Sequence, residues 1–378
     1  MQCHHILPLH SKPRDGELLS SWIVRLAYLH GLKVETLVTL LFGYRKPIWN
    51  RDIDRMASSE ILQSLTLVTG VPEEIISGML LRAYEGIIFE KFRPKALTSW
   101  LLPVGIYHRK RRQFGLQCCP ICLLEDTVPY YRRLWRVGFI TSCLKHQVVL
   151  IDRCQHCGAP IAPFRYDMRS KSLYPSPLDI VRCYKCTDTL TSIEPSGASK
   201  SVLKLQYTWE MAIKRGWLSW ANNPSMYSPL FFEGLRILCA NLMRKIPVER
   251  LRQHSSVELS SIIWPKLGIE FASTLSRHSL FSAISRFLLD WPEAFTKEAS
   301  RSRLSYAYLK GGYGSLPYWY ENAIKKFLSK ESLNISRSEA ESIYRVVESR
   351  FGKFSSSLAR QISGRDISKT DYVKINFI

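Results

Sequence analysis

Cys119-Pro120-Ile121-Cys122, Cys143-Leu144-Lys145-His146, Cys154-Gln155-His156-Cys157 and Cys183-Tyr184-Lys185-Cys186 are four two-residue pairs in series. Two-residue spacing lets one tight turn aim both side chains at a single ion, and two such turns supply the four ligands of a tetrahedral zinc. The pairs predict one site of three cysteines and a histidine, from Cys119, Cys122, Cys143 and His146. They predict one four-cysteine site, from Cys154, Cys157, Cys183 and Cys186. Sequential pairing makes two zinc ribbons; interleaved pairing makes a RING-like cross-brace. Sequential pairing is preferred, because each half has its own turn-rich span that can close locally. Cys118 is an alternative to Cys119 at a looser spacing, and His156, inside a knuckle, reads as exposed. Cys3 and Cys239 read as incidental thiols. With four protein ligands each, neither site keeps the open position a catalytic zinc needs.

Working outward, three zones appear along the 378 residues. Residues 1–117 read as a helical domain. Asp15 caps a helix with Leu18, Leu19, Trp22, Ile23 and Leu26 on one stripe, and a second helix runs from Val34 to Phe42. Ser58 to Thr69, a Gly70-Val71-Pro72 turn and Glu73 to Leu81 then make a helix-turn-helix-like pair. Residues 118–194 form the tandem zinc-binding module, with short β segments such as Val148 to Ile151. Residues 200–378 return to helical periodicity, with helices at Leu230 to Lys245 and near 267–290, 317–329 and 338–351. Ser338 and Glu341 give the last one a capping-box signature. The fold class expected is mainly α with small zinc-ribbon β modules between two helical domains.

Composition narrows the function. A hydrophobic fraction of 46% with 22% charge is globular rather than disordered. No apolar run approaches ~18 residues and no secretion signal opens the chain, so a cytoplasmic protein without membrane spans is expected. The net charge is +21, and from residue 200 onward 27 Lys and Arg face 15 Asp and Glu. Such an excess favours a polyanionic partner. Arg109-Lys110-Arg111-Arg112 is the densest basic run. Arg132 and Arg133 alternate with Tyr130, Tyr131 and Trp135, a mix suited to phosphate contact and stacking. These six cations are the candidate nucleic-acid contacts, although Trp135 and Trp22 read first as packing residues. No GxxxxGK[ST], GxSxG or HExxH appears, so no enzyme is expected and no catalytic residue is assigned.

Cys119-Pro120-Ile121-Cys122-Leu123, Pro129-Tyr130-Tyr131-Arg132, Trp135 and Thr141-Ser142-Cys143-Leu144-Lys145-His146 resemble the TniQ/TnsD family of transposon target-selection proteins. Leu150, Cys154, Cys157 and Gly158 continue the likeness. Glu17-Leu18-Leu19-Ser20-Ser21-Trp22 with Arg25 is similar to the family's opening helix. The resemblance covers about residues 10–190. Beyond 200, only Phe231-Phe232-Glu233-Gly234-Leu235-Arg236 and Asp290-Trp291-Pro292 are similar. It implies a non-catalytic adaptor that links an AAA+ transposition ATPase to the insertion site, through DNA or a CRISPR guide-RNA effector complex, with room for a homodimer. The alternative is a stand-alone zinc-containing DNA-binding transcriptional regulator.

Overall fold

The computed structural model describes residues 6–44, 48–49, 51–105, 113–167, 174–192, 194–220, 223–254, 268–325, 327 and 337–363. Mainly helical, with two short antiparallel hairpins, the chain divides into two compact units. The first comprises Met1–Ala83, Arg93–Ala198 and Glu270–Arg277, and the second Tyr84–Phe92, Ser199–Ile269 and His278–Ile378.

In the first unit, α1 (Leu19–Leu29) buries every side chain from Leu19 to Tyr28. It starts later than an Asp15 cap predicts. The Glu17 carboxylate accepts the Arg14 N–H at 2.9 Å, Gly16 turns the chain at φ 63°, and the Leu18 N–H goes to the Tyr131 carbonyl. Asp15 is therefore a turn residue. α2 (Val34–Phe42) and α3 (Ile53–Met56) follow, then α4 (Ser59–Thr69), closed by Gly70 in the left-handed region at φ 67°. α5 (Glu73–Gly78) is shorter than the predicted Glu73 to Leu81. Gly78 is a weak helix residue. Met79, Leu80 and Leu81 past it are all buried, and the Met79 and Leu80 N–H groups bond the carbonyls three residues back, at Ile76 and Ser77, so the last turn tightens and the α-helix stops. α4 and α5 form a helical hairpin, and Glu73 and Glu74 occupy the first turn of α5. α6 (Pro120–Glu125) and the hairpin β1 (Ser142–Cys143) with β2 (Val148–Val149) carry the first two cysteine pairs; Ser142 faces Val149 and Cys143 faces Val148.

Two buried ion networks fix this unit. Glu17, fully buried, accepts Arg25 Nε at 2.8 Å, Arg25 Nη2 at 2.7 Å and the Ser21 hydroxyl at 2.8 Å. Asp52 and Asp54 both pair with buried Arg136, and Asp54 also accepts the Ser20 N–H and hydroxyl at 2.8 Å each. Burial is the main reason the Asp54 carboxyl is pushed up to about 6, with Asp52 adding to it and Arg136 opposing. Glu270 accepts the Trp100 N–H, Asp152 the Thr274 N–H, and Gln117 the Arg277 guanidinium, so 270–277 is held by buried polar bonds.

The second unit contains α7 (Lys200–Arg215), ended by Gly216 at φ 77°, then the hairpin β3 (Trp217–Trp220) and β4 (Asn223–Tyr227). Alternation of Trp217, Leu218, Ser219 and Trp220 past that glycine makes strand rather than helix, a hairpin the helical reading of this zone lacks. The helices α8 (Ser228–Leu242), α9 (Lys245–His254), α10 (Thr274–Leu289, entering from the first unit's last segment), α11 (Glu293–Arg301), α12 (Tyr306–Lys310), α13 (Tyr318–Lys325), α14 (Arg337–Phe351) and α15 (Ser356–Ser363) complete it. α14 begins ahead of Ser338, so that serine lies inside the first turn rather than capping it. Trp220, Phe231, Trp291, Phe295, Trp319 and Tyr320 form an aromatic core. Gly234 is required there: a Cβ would lie 2.5 Å from the Trp319 ring. The Phe231 and Trp291 stretches singled out from the sequence are thus core elements.

His278 in this unit accepts the Ser199 N–H on Nε2 at 3.2 Å, which fixes the neutral ring, and burial lowers its pKa to about 4. A depressed folded-state pKa means the unfolded chain takes up the proton first. The stabilisation is therefore present above pH ~6.5 and lost as pH falls through about 4. Between pH 7.5 and 4 the wild type should lose about 3 kcal/mol more stability than His278→Asn in urea unfolding. Equal losses would refute the assignment.

Candidate metal centre

The structure gathers the eight predicted ligands in sequential order. Cys119, Cys122, Cys143 and His146 form one tetrad, and Cys154, Cys157, Cys183 and Cys186 the other, with donor atoms in each within 4.8 Å of one another. Local structure explains the aim of each pair. Cys119 is the N-cap of α6 with Pro120 in the first turn, and its sulfur accepts the Cys122 N–H at 3.5 Å. The other three pairs share a turn: Gln147 donates to the Cys143 carbonyl, Gly158 to Cys154 and Thr187 to Cys183. These three closing residues have φ of 56°, 68° and 67°. Glycine takes that conformation freely; Gln147 and Thr187 adopt it against their Cβ, so the turns are held from outside.

The donor chemistry fits a metal ion. His146 Nδ1 lies 3.3 Å from Cys119 Sγ, 3.3 Å from Cys122 Sγ and 3.5 Å from Cys143 Sγ, with Cys122 and Cys143 3.6 Å apart. In the second tetrad Cys154–Cys186 and Cys157–Cys183 are each 3.6 Å apart. Tetrahedral zinc with Zn–S of about 2.3 Å spaces its sulfurs by about 3.8 Å, close to these values. Contacts with Cys119 and Cys143, then burial, push the Cys122 thiol far up, while contacts with Cys119 and Cys122 pull Cys143 down to about 2. Such a cluster holds its charge apart only by sharing protons, the tension a dication relieves.

The outer shell completes the first tetrad. His146 Nε2 faces the Glu125 carboxylate at 2.9 Å, and Lys145 Nζ reaches the same oxygen at 2.6 Å. These two bonds, Lys145 first, hold the Glu125 carboxyl below its ordinary range. A carboxylate behind a ligating imidazole fixes its tautomer and leaves Nδ1 free to ligate. Glu125 was missed in the sequence; its one signal is an acid three residues past Cys122 on the same short helix.

Cys118 lies outside the tetrad. Its backbone pairs both ways with Ile151 and burial raises its thiol well above the usual range. His156 is exposed, 3.5 Å from Asp188, and Cys239 is buried in α8. Cys3 and the run Arg109-Lys110-Arg111-Arg112 lie outside the described residues. Arg132 bonds Asp126 at 2.9 Å and lies over Tyr130 and Trp135, 4.5 and 4.7 Å from the ring centroids. Arg133 is half-buried, with its N–H on the Gly16 carbonyl. Tyr131 is fully buried and edge-on to Trp135. It donates its N–H to the Ser21 hydroxyl oxygen and its own hydroxyl to the Ile180 carbonyl, tying α1 to both tetrad segments. Trp22 is a core residue whose indole donates to the Ser11 carbonyl.

Against known families, the TniQ model matches residues 8–150. Over those residues the chain is similar to the TniQ domain. The similar stretch spans the whole first tetrad, the Glu17–Arg25 and Asp54–Arg136 networks and the β1–β2 hairpin, and stops before the second tetrad. At family level the TniQ domain implies a role in selecting targets for transposition, with the transposition machinery. No curated protein matches the chain. Among the described residues, no helix is long and apolar enough to cross a membrane.

Proposed function

We propose that this protein is a non-catalytic target-selection adaptor for DNA transposition, coupling an AAA+ transposition ATPase to the insertion site. The site is engaged by direct DNA binding or through a CRISPR effector ribonucleoprotein. The observation that carries the reading is the TniQ-like stretch over residues 8–150, folded around a complete set of three cysteines and one histidine. Cys119, Cys122, Cys143 and His146 hold one Zn2+, and Cys154, Cys157, Cys183 and Cys186 the second. Zinc supplies folding energy at such sites, and four protein ligands leave no position for a substrate. Glu125 orients His146, and the turns closed by Gln147, Gly158 and Thr187 preset the cysteines. Arg109, Lys110, Arg111 and Arg112 are the proposed phosphate contacts in this half of the chain; the packing of Arg132 favours a structural role for it.

The test is a mobilisation assay with the recombinase and ATPase of the same element, the insertion sites being sequenced with and without this protein. The reading requires that omission abolish insertion or scatter it. Unchanged site choice, together with no ATPase recovered on the immobilised protein, refutes it and favours the regulator.

A further inference from the structure

α7 is amphipathic in an unusual sense. Val202, Leu205, Gln206, Trp209 and Ala212 are its buried residues. At 100° per residue, Lys200, Lys204, Tyr207, Met211, Lys214 and Arg215 fall opposite them, in a stripe about 100° wide. The four cations and Tyr207 are all exposed, Tyr207 at 61%. Glu210, the one acid of the helix, lies off the stripe and accepts the Gln206 amide at 2.9 Å. Beyond Gly216 the stripe meets Trp217, over which both Arg215 and Arg350 place their guanidinium groups, 5.7 and 4.7 Å from the ring centroid. Lys200, Lys204, Lys214, Arg215 and Arg350 have no carboxylate partner among the described residues.

Helix stability accounts for Lys214 and Arg215, cations in the last turn where the helix dipole favours them, but not for the other end of the stripe. Lys200 is in the first turn, where the helix dipole repels a cation, and no acid occupies that turn. Two like-charged guanidiniums gathered on one indole repel each other unless an anion faces them. The stripe is straight and runs about 22 Å from Lys200 to Arg215, with a pair of cations at each end, Lys200 and Lys204 one turn apart and Lys214 beside Arg215, and Tyr207 and Met211 between them. Cation pairs about 15–20 Å apart on one straight face call for a partner that presents negative charge along that whole length; a nucleic-acid backbone does so at any register, whereas an acidic protein surface rarely does. A membrane surface would need a broader apolar face than Tyr207 and Met211 provide.

We propose that the outer face of α7, continued through Trp217 and Arg350, is a docking surface for the phosphate backbone of duplex DNA. This rests on the target-selection reading and gives it a contact surface in the second unit. The surface positions DNA without reading its bases, because lysine and arginine contacts to phosphate carry no sequence information.

The experiment uses the full-length zinc-loaded protein and fluorescent duplex DNA of random sequence, titrated at several salt concentrations. Lys200→Gln, Lys204→Gln, Lys214→Gln and Arg215→Gln together should weaken binding at least about tenfold and reduce the log–log salt slope by about 3 to 4. A control with Lys91, Lys245, Lys297 and Lys325 changed to Gln removes the same charge from exposed positions of the second unit outside the stripe. It should keep most of the affinity and slope. Circular dichroism and thermal melting of the stripe variant should match the wild type, since no buried residue changes. Equal losses in the two variants mean net charge alone and overturn the proposal, as does stronger binding of duplex RNA of the same sequence. A wild type that binds no duplex overturns direct DNA binding itself, while its recovery of the ATPase still tests the adaptor reading separately.

Discussion

Cys122→Ser should cut the metal content from two zinc ions per chain to one and unfold the segment around the first tetrad. Cys122 is 5% exposed, in contact with His146 and Cys143, and has no solvent to replace a lost ligand. Structural zinc contributes on the order of 10–16 kcal/mol in small modules, against a typical domain stability of ~5–15 kcal/mol. The loss therefore equals or exceeds what holds the unit. Cys118→Ala is the companion, a buried cysteine just ahead of the first ligand. It should keep both metals, because its backbone pairs with Ile151 and its sulfur is outside the tetrad. Metal analysis of the two purified variants decides the matter; two zinc ions in Cys122→Ser and one in Cys118→Ala would reverse the ligand assignment.

Glu17→Ala comes second in size. The change leaves the Arg25 guanidinium, 6% exposed, with only the Lys12 carbonyl in place of two carboxylate oxygens, and strips the Ser21 hydroxyl of its acceptor. Breaking a buried pair by removing one partner costs about 3–5 kcal/mol, because the remaining charge stays desolvated. Urea unfolding should show that loss with both zinc ions retained. The double change Glu17→Met with Arg25→Met should recover much of it, since no charge is then left buried. A single-variant loss below about 1 kcal/mol would mean that water or a side-chain shift rescues Arg25.

The cysteine pairs made the candidate site legible because ligation is local: a two-residue spacing names its own partner residues. Sequential gathering followed from the same logic, each tetrad spanning a short stretch of chain. Helix periodicity was legible for α1, α2, α4, α8 and α14, where apolar stripes recur at 3.6 residues. A stripe gives a face, however, and never the neighbour that covers it. Nothing in the sequence pairs Ser20 with Asp54, Trp100 with Glu270 or Gln117 with Arg277, since those bonds exist only after distant segments meet. The opening-helix residues Glu17, Ser21, Trp22 and Arg25 lie within the family match, and Trp22 packs as read, but that Glu17, Ser21 and Arg25 form one buried polar network shows only in the fold. The β3–β4 hairpin escaped because four residues of alternation are too short to stand out in a helical zone.

The claim that two closed metal sites organise the chain is tested most directly by zinc X-ray absorption on protein prepared without chelator, together with its metal content. Two zinc ions per chain are expected, with an average of about 3.5 sulfur and about 0.5 nitrogen neighbours, at about 2.3 Å and about 2.0–2.1 Å. One ion or none, or an oxygen neighbour showing an open position on either zinc, would contradict the account.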